Sequence, residues 1–419
     1  METGPWPAQP ARPEGARLGN ADLMWEMAEE ILASGHRLAL VTTGGGSRAV
    51  HYLLNHPGAS RAVLEVQIPY SGSALADYLA TSGPHPVTAD TARAMAARAF
   101  ARAGDLTAGN RQGGGAPDSH LLGAACTAAL ATVPQRRGED RCWLALRTPD
   151  QYRMVALSFA RESSGRLEQA EVLSRTLLQA LCQACGPSRG LGASEAVGEQ
   201  LPDWAGVEAF GFAAGQALDE FFDGGGKTVE RRPGGAFRRA CQDGRRVIFA
   251  GSFNPFHEGH AQLAGVARAR TGREVTLEIS IANVDKPTLG YVEIAQRLDA
   301  LPDEYGVMVT RAATFPEKAR LFPGSVFVIG YDTVIRLLDG AYYGGGRGAV
   351  DQALAELDES GCRFLVAGRL HGEEFYQLGD LEVPPAFRHL FEAIPESEFR
   401  RDISSSELRD RPEPECRPE

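Results

Sequence analysis

The sequence predicts an α/β protein of two α/β domains, the second a doubly wound, mostly parallel sheet. Three observations lead there. Apolar runs of strand length, such as Arg37–Thr42 and Val247–Ala250, alternate with segments whose apolar residues recur at helical spacing. Each half contains, early on, a strand that runs into glycine and then into a helical pattern, at Gly44-Gly45-Gly46 and again at Gly251. The chain has 419 residues, 43% of them hydrophobic and 23% charged, which suits two or three domains with real cores.

In chain order, residues 1–19 hold four prolines and no apolar core, and read as a disordered leader. Residues 20–188 form the first domain. Leu23, Met27, Ile31 and Leu32 mark a helix, Arg37–Thr42 a buried strand, and Val50, Leu53 and Leu54 the helix after the glycine turn. Ala62–Ile68 reads as a strand and Thr88–Arg102 as a helix capped by Thr88. Residues 103–118 lack periodicity and read as a surface excursion. Strands follow at Leu121, Cys142–Leu146 and Tyr152–Ala160, then a long helix from Leu167 to Cys185. Residues 189–244 read as a connector, helical over Trp204–Phe222 and then rich in glycine and charge.

The second domain spans 245–410, with 411–419 as a tail. Its pattern is strand Val247–Ala250, helix Glu258–Arg270, strand Val275–Ile281, helix Tyr291–Leu301 and strand Val307–Thr310. Strand Ser325–Ile329, a helix carrying Val334, Leu337 and Leu338, and strand Arg363–Ala367 complete it. This alternation implies a Rossmann-like sheet.

Composition excludes several classes. A net charge of −11 argues against general nucleic-acid or anionic-membrane binding. No run approaches the ~18 apolar residues of a membrane helix. Seven scattered cysteines, an odd number, make a disulfide framework a poor reading and favour a reducing, cytoplasmic setting. Cys182-Gln-Ala-Cys185 lacks a second pair at metal-site spacing, and no metal-ligating set is expected. Gly224-Gly-Gly-Lys-Thr228 is not a P-loop, because Phe221 stands where that motif needs glycine.

The chemistry concentrates in Gly251-Ser-Phe-Asn-Pro-Phe-His-Glu-Gly-His260, at the junction of the first strand and helix of the second domain. Ligands of parallel α/β sheets bind at the carboxyl ends of strands. His257 and His260 are one helical turn apart, so both rings can face one point. Gly259 lets a ligand approach the backbone, and the helix start favours an anion. Near the other end, Ile403-Ser404-Ser405-Ser406-Glu-Leu-Arg409 offers hydroxyls and a guanidinium fork for phosphate.

These two segments resemble the paired signatures of the nucleotidylyltransferase superfamily, a His-x-Gly-His turn and a later Ile-Ser-Ser-Thr-x-x-Arg, with Ser406 in place of Thr. Between them, Phe327–Thr333 resembles the Gly-x-Asp segment of nicotinamide mononucleotide adenylyltransferases, through Gly330 and Asp332. The resemblance covers about 245–410. It implies an adenylyl transfer, most consistent with ATP and nicotinamide or nicotinate mononucleotide, with release of pyrophosphate. His257, His260 and Arg409 are then the catalytic candidates. Gly251, Ser252, Phe253, Asn254, Gly259, Gly330, Asp332, Ser404, Ser405 and Ser406 are the nucleotide- and phosphate-binding ones. Mg²⁺ is the implied cofactor, carried with the triphosphate. A cytidylyltransferase acting on another phosphorylated acceptor and a non-catalytic nucleotide sensor are the alternatives. Lys286 and Lys318 are expected to be solvated surface lysines.

Residues 20–188 resemble the C-terminal domain of the competence-damage-inducible family, known for nicotinamide mononucleotide deamidase activity. The shared pieces are Thr43-Gly-Gly-Gly46, Pro57-Gly-Ala-Ser60, Tyr70-Ser71 and Val87-Thr88. The family's acidic residue and serine before Thr-Gly-Gly are replaced here by Leu40, Val41 and Thr42, and the lysine after Tyr-Ser is absent. The expectation is a fold relic that binds, regulates or forms a homo-oligomer rather than hydrolyses.

Overall fold

The structure, a computed structural model, describes residues 20–108, 120–186, 201–240, 245–284, 287–371 and 374–400. The chain divides into two compact units, Met1–Gly211 and Phe212–Glu419.

The first unit is a six-stranded sheet in the order β2-β1-β3-β4-β5-β6. Its strands are β1 (Arg37–Thr43), β2 (Val63–Gln67), β3 (Leu121–Ala129), β4 (Asp140–Arg147), β5 (Gln151–Phe159) and β6 (Ala205–Ala213). β1 lies parallel to β2 and β3, and β3, β4 and β5 form an antiparallel meander. Helices Asn20–Ala33, Ser47–Asn55 and Arg166–Cys185 bury Met24, Ile31, Leu53, Leu173 and Leu177 against the sheet. Thr88 caps helix Ala89–Ala108, its hydroxyl accepting the Thr91 amide at 3.3 Å. That helix packs so closely on β3 that a Cβ at Gly123 would meet the Ala96 carbonyl oxygen and Phe100 nitrogen at 2.4 Å.

The glycine turn after β1 is filled from within. Gly44 and Gly46 have φ of +75° and +78°, which glycine tolerates best. A Cβ at Gly45 would lie 2.5 Å from Leu173, so the long helix sits directly over the turn. Helix packing accounts for Gly45, and positive φ for Gly44 and Gly46.

The second unit carries an eight-stranded sheet in the order β16-β13-β12-β9-β10-β11-β7-β8. Its strands are β7 (Thr228–Arg231), β8 (Phe237–Arg239), β9 (Val247–Ala250), β10 (Val275–Ser280), β11 (Gly306–Thr310), β12 (Val326–Gly330), β13 (Arg363–Ala367) and β16 (Phe391–Ile394). A separate hairpin joins β14 (Arg369–His371) to β15 (Glu374–Tyr376). From β16 to β11 all neighbours are parallel, while β7 and β8 add an antiparallel hairpin on β11. The parallel core therefore runs β11-β10-β9 to one side and β12-β13-β16 to the other. Strand order reverses between β9 and β12, where a doubly wound sheet opens its binding crevice. Phe327, Ile329, Phe364 and Leu354 lie in the core on one side of this sheet.

The expectation for 189–244 needs correction. Residues 205–213 are strand, not helix, and among the described residues of this stretch only Gln216–Phe222 is helical. The edge of the first sheet decides this, because the Ala160 amide donates to the Trp204 carbonyl at 2.8 Å and leads 205–213 onto β5. The glycine- and charge-rich stretch likewise supplies β7 and β8. Val229 is buried there, and Glu230 pairs with Arg238 and Arg246. Tertiary pairing outweighs the local signals of both stretches.

Candidate active site

β9 ends at Ala250, and Gly251–His257 form the turn into helix Glu258–Thr271. Phe253 adopts φ of +43° and is buried at 1% exposure. Its ring tucks beneath the turn, where a Cβ at Gly251 would stand 2.8 Å from Cζ, so only glycine fits there without displacing the ring. Phe249, Phe253 and Phe256 surround His260, with ring centroids 5.8, 5.0 and 5.4 Å away.

His257 precedes the helix as its N-cap, and His260 is its third residue. The two imidazoles stack at 3.7 Å. The His257 amide donates to Nδ1 of His260 at 3.2 Å. An Nδ1 that accepts leaves the ring proton on Nε2, making His260 a neutral donor. Burial, then the neighbouring His257, pushes its pKa down to about 3. Gly259 lies buried in the same first turn.

A cavity of about 610 Å³ opens at the carboxyl ends of the strands, beginning at Gly251, Ser252 and Asn254. Its floor holds an ion pair the sequence concealed. Lys318, on helix Phe315–Leu321, places Nζ 2.6 Å from both oxygens of Glu278 on β10. The Thr310 hydroxyl donates to the same carboxylate at 2.6 Å. The two side chains are 7% and 1% exposed, so the expectation of a solvated Lys318 is wrong. A buried carboxylate on β10 demands a cation, and the helix above supplies it.

Arg297 donates to the Ser252 carbonyl at 3.2 Å and pairs with Glu293, bracing the histidine-bearing turn from helix Tyr291–Asp299. Phe315, Tyr342 and Tyr343 give the cavity aromatic surface, and Arg336 stands exposed on it. Such a mixture of apolar walls and a few fixed polar groups suits a nucleotide-sized ligand.

The sequence-derived residues divide accordingly. Gly251, Ser252 and Asn254 line the cavity, Phe253 supports it, and His257 and His260 stack on the same turn outside its lining. Gly330, with open space where a Cβ would stand, ends β12 across the switch point. Asp332 follows in the next turn, paired with Arg369. Neither Gly330 nor Asp332 lines the cavity. Ser404, Ser405, Ser406, Arg409 and Lys286 lie outside the described residues. The residues that sequence reasoning missed are Glu278, Arg297, Arg336 and the true setting of Lys318. One signal was present in Val275–Ser280, where Thr276, Glu278 and Ser280 alternate with apolar residues. A central strand covered on both faces has no solvated side, so its polar face must meet partners or a cavity.

Among the described residues, no group of three or more His, Cys, Asp or Glu is placed to hold a metal ion. The cavity carboxylates Glu278 and Glu293 are engaged by Lys318 and Arg297. These residues do not form a protein-held metal seat.

Residues 248–411 match the cytidylyltransferase-like family model. The C-terminal half carries a cytidylyltransferase-like domain. This match supports a nucleotidyltransferase. No curated protein matches the chain. Among solved structures, a competence-damaged protein (CinA) superfamily protein from Escherichia coli is similar at 15% identity and a TM-score of 0.30, over 40% of this chain and 92% of that one. The competence/damage inducible protein CihA from Agrobacterium tumefaciens is similar at 18% identity and a TM-score of 0.29, over 40% and 96%. A CinA superfamily protein from Enterobacter cloacae is similar at 16% identity and a TM-score of 0.31, over 43% and 100%. Among the described residues, no helix is long and apolar enough to cross a membrane.

Proposed function

We propose that the second unit is a nucleotidylyltransferase that joins the adenylyl group of ATP to nicotinamide or nicotinate mononucleotide and releases pyrophosphate. The observation that carries this reading is the stacked His257–His260 pair at the carboxyl end of β9, on the turn that opens the 610 Å³ cavity. An acceptor phosphate oxygen attacks the α-phosphorus, and the bond to the β-phosphate oxygen breaks. No nucleophilic side chain is required. The protein's task is alignment and stabilisation of the charge that grows on the bridging and terminal oxygens.

His260 fits that task as a neutral Nε2–H donor whose orientation is fixed by the His257 amide. His257 stacks beside it as the second ring of the phosphate-facing pair. Arg297 keeps the turn in place through the Ser252 carbonyl. On the family resemblance, Ser404, Ser405, Ser406 and Arg409 grip the β- and γ-phosphates. On the same resemblance, Gly330 at the end of β12 and Asp332 on the helix that follows flank the nucleoside. Mg²⁺ would accompany the triphosphate as part of the substrate and would supply charge neutralisation there.

The adenylyl and pyridine-nucleotide assignment rests on the Gly-Ser-Phe-Asn-Pro turn, on the Gly-x-Asp segment, and on the sequence resemblance of residues 20–188 to a domain of pyridine-nucleotide chemistry. That first unit, in this reading, binds or regulates rather than hydrolyses. The cytidylyltransferase-like match favours a second reading, CTP with another phosphorylated acceptor. Mass analysis of the product after incubation with equimolar ATP and CTP decides between them. A dinucleotide containing adenine supports the first reading, and exclusive incorporation of cytidine overturns it in favour of the second.

A further inference from the structure

At the amino ends of the same strands, a second cavity of about 440 Å³ lies in the second unit, lined by Arg231, Arg232, Arg245, Arg246 and Arg273. Val247 and Val275, which begin β9 and β10, form part of its floor. It is thus at the opposite strand ends from the candidate active site. We propose that this cavity is a separate binding site for a small molecule carrying two or more phosphate groups.

The charge pattern supports this. The chain as a whole carries −11, yet five arginines line this cavity. The carboxylates nearby offset only part of this charge. Glu230 is 6% exposed and already holds Arg246 at 2.6 Å and Arg238 at 2.9 Å. Glu274 reaches Arg268 at 3.3 Å, and Glu304 is exposed. Arg232, Arg245 and Arg273 form no ion pair among the described residues, and Arg273 is tied across to the Arg245 carbonyl at 3.3 Å. Arg231 is held over the Phe237 ring at 5.6 Å, with Asp303 3.7 Å from one Nη. Its Nε and other Nη are buried without a hydrogen-bond partner among the described residues. Buried donors in that condition carry a desolvation cost.

Guanidinium forks match phosphate oxygens two at a time. A single carboxylate satisfies one fork, whereas linked phosphates offer acceptors to several at once. The volume lies within the ordinary range for small-molecule sites.

The test uses the full chain and sodium tripolyphosphate at constant ionic strength, read by hydrogen exchange resolved to segments. Protection is expected at 229–233 and 273–276. Its half-saturating concentration should rise at least ten-fold in an Arg232→Ala/Arg245→Ala/Arg273→Ala protein, with any protection of 250–260 unchanged. The matching Arg→Lys triple keeps the charge and removes the forks, and most of the ten-fold loss should persist. No protection at the amino-end segments up to millimolar tripolyphosphate overturns the proposal. So does protection that is the same in the alanine triple, or full affinity in the lysine triple.

Discussion

A histidine surrounded by three phenylalanines and stacked on a second imidazole pays to become charged, and His260 is in that position. Its folded pKa of about 3 lies below the ordinary 6.5, so between those values the unfolded chain binds a proton that the native one refuses. This contribution to stability is complete above pH 6.5 and is lost as pH falls toward 3. At pH 5.5 the loss should be about 1 kcal/mol relative to pH 7.5, one pH unit below the unfolded value. Denaturant unfolding of the wild-type chain and of His260→Asn at both pH values checks it, the variant showing the shallower dependence. Lys318 gives a second expectation. Lys318→Met strands the Glu278 carboxylate and should cost about 3–5 kcal/mol, while Lys318→Met with Glu278→Leu should recover most of it. Equal losses in the single and double variants would contradict the pairing. At this scale the histidines were legible because their spacing and neighbouring glycines are local in sequence. The Glu278–Lys318 pair was not, since forty positions separate its members and only the folded sheet brings them together.

Elements are legible in the sequence where the period is strong and hidden where tertiary partners decide the outcome. Arg37–Thr43, Val247–Ala250, Val326–Gly330 and Arg363–Ala367 are buried strands that the apolar runs announce directly. Residues 204–222 show the opposite case, because β6 exists through its pairing with the first sheet rather than through its own composition. Glycines report contacts of another kind. Gly123 lets helix Ala89–Ala108 lie backbone to backbone on β3, and Gly123→Ala should destabilise the first unit by about 3 kcal/mol. Gly251→Ala presses on the Phe253 ring and should lower nucleotide affinity, because it displaces the turn that carries His257. Thermal unfolding checks the first substitution and equilibrium nucleotide binding the second.

Among the described residues the two units carry separate core clusters, one around Leu40, Leu144 and Leu177, the other around Ile248, Phe327 and Phe364. Ligand binding to the second unit stabilises the state that binds, by about 2.7 kcal/mol at a hundred-fold excess over Kd. Calorimetry with Mg-ATP is therefore expected to raise the unfolding temperature of the second unit, and Gly123→Ala to lower that of the first. The alternation of β and α made both halves legible as α/β, and the strand-order reversal at β9 and β12 turns that pattern into a place for a ligand. Under the proposed function, this place transfers a nucleotidyl group. Its most direct test is pyrophosphate release by the full chain with Mg²⁺, crossing ATP and CTP with nicotinamide and nicotinate mononucleotides, beside a His260→Ala control. Release with ATP and a pyridine mononucleotide, reduced at least a hundred-fold in the control, is the expected result. Nucleotide binding without pyrophosphate release under any pairing would contradict it and leave a sensor in its place.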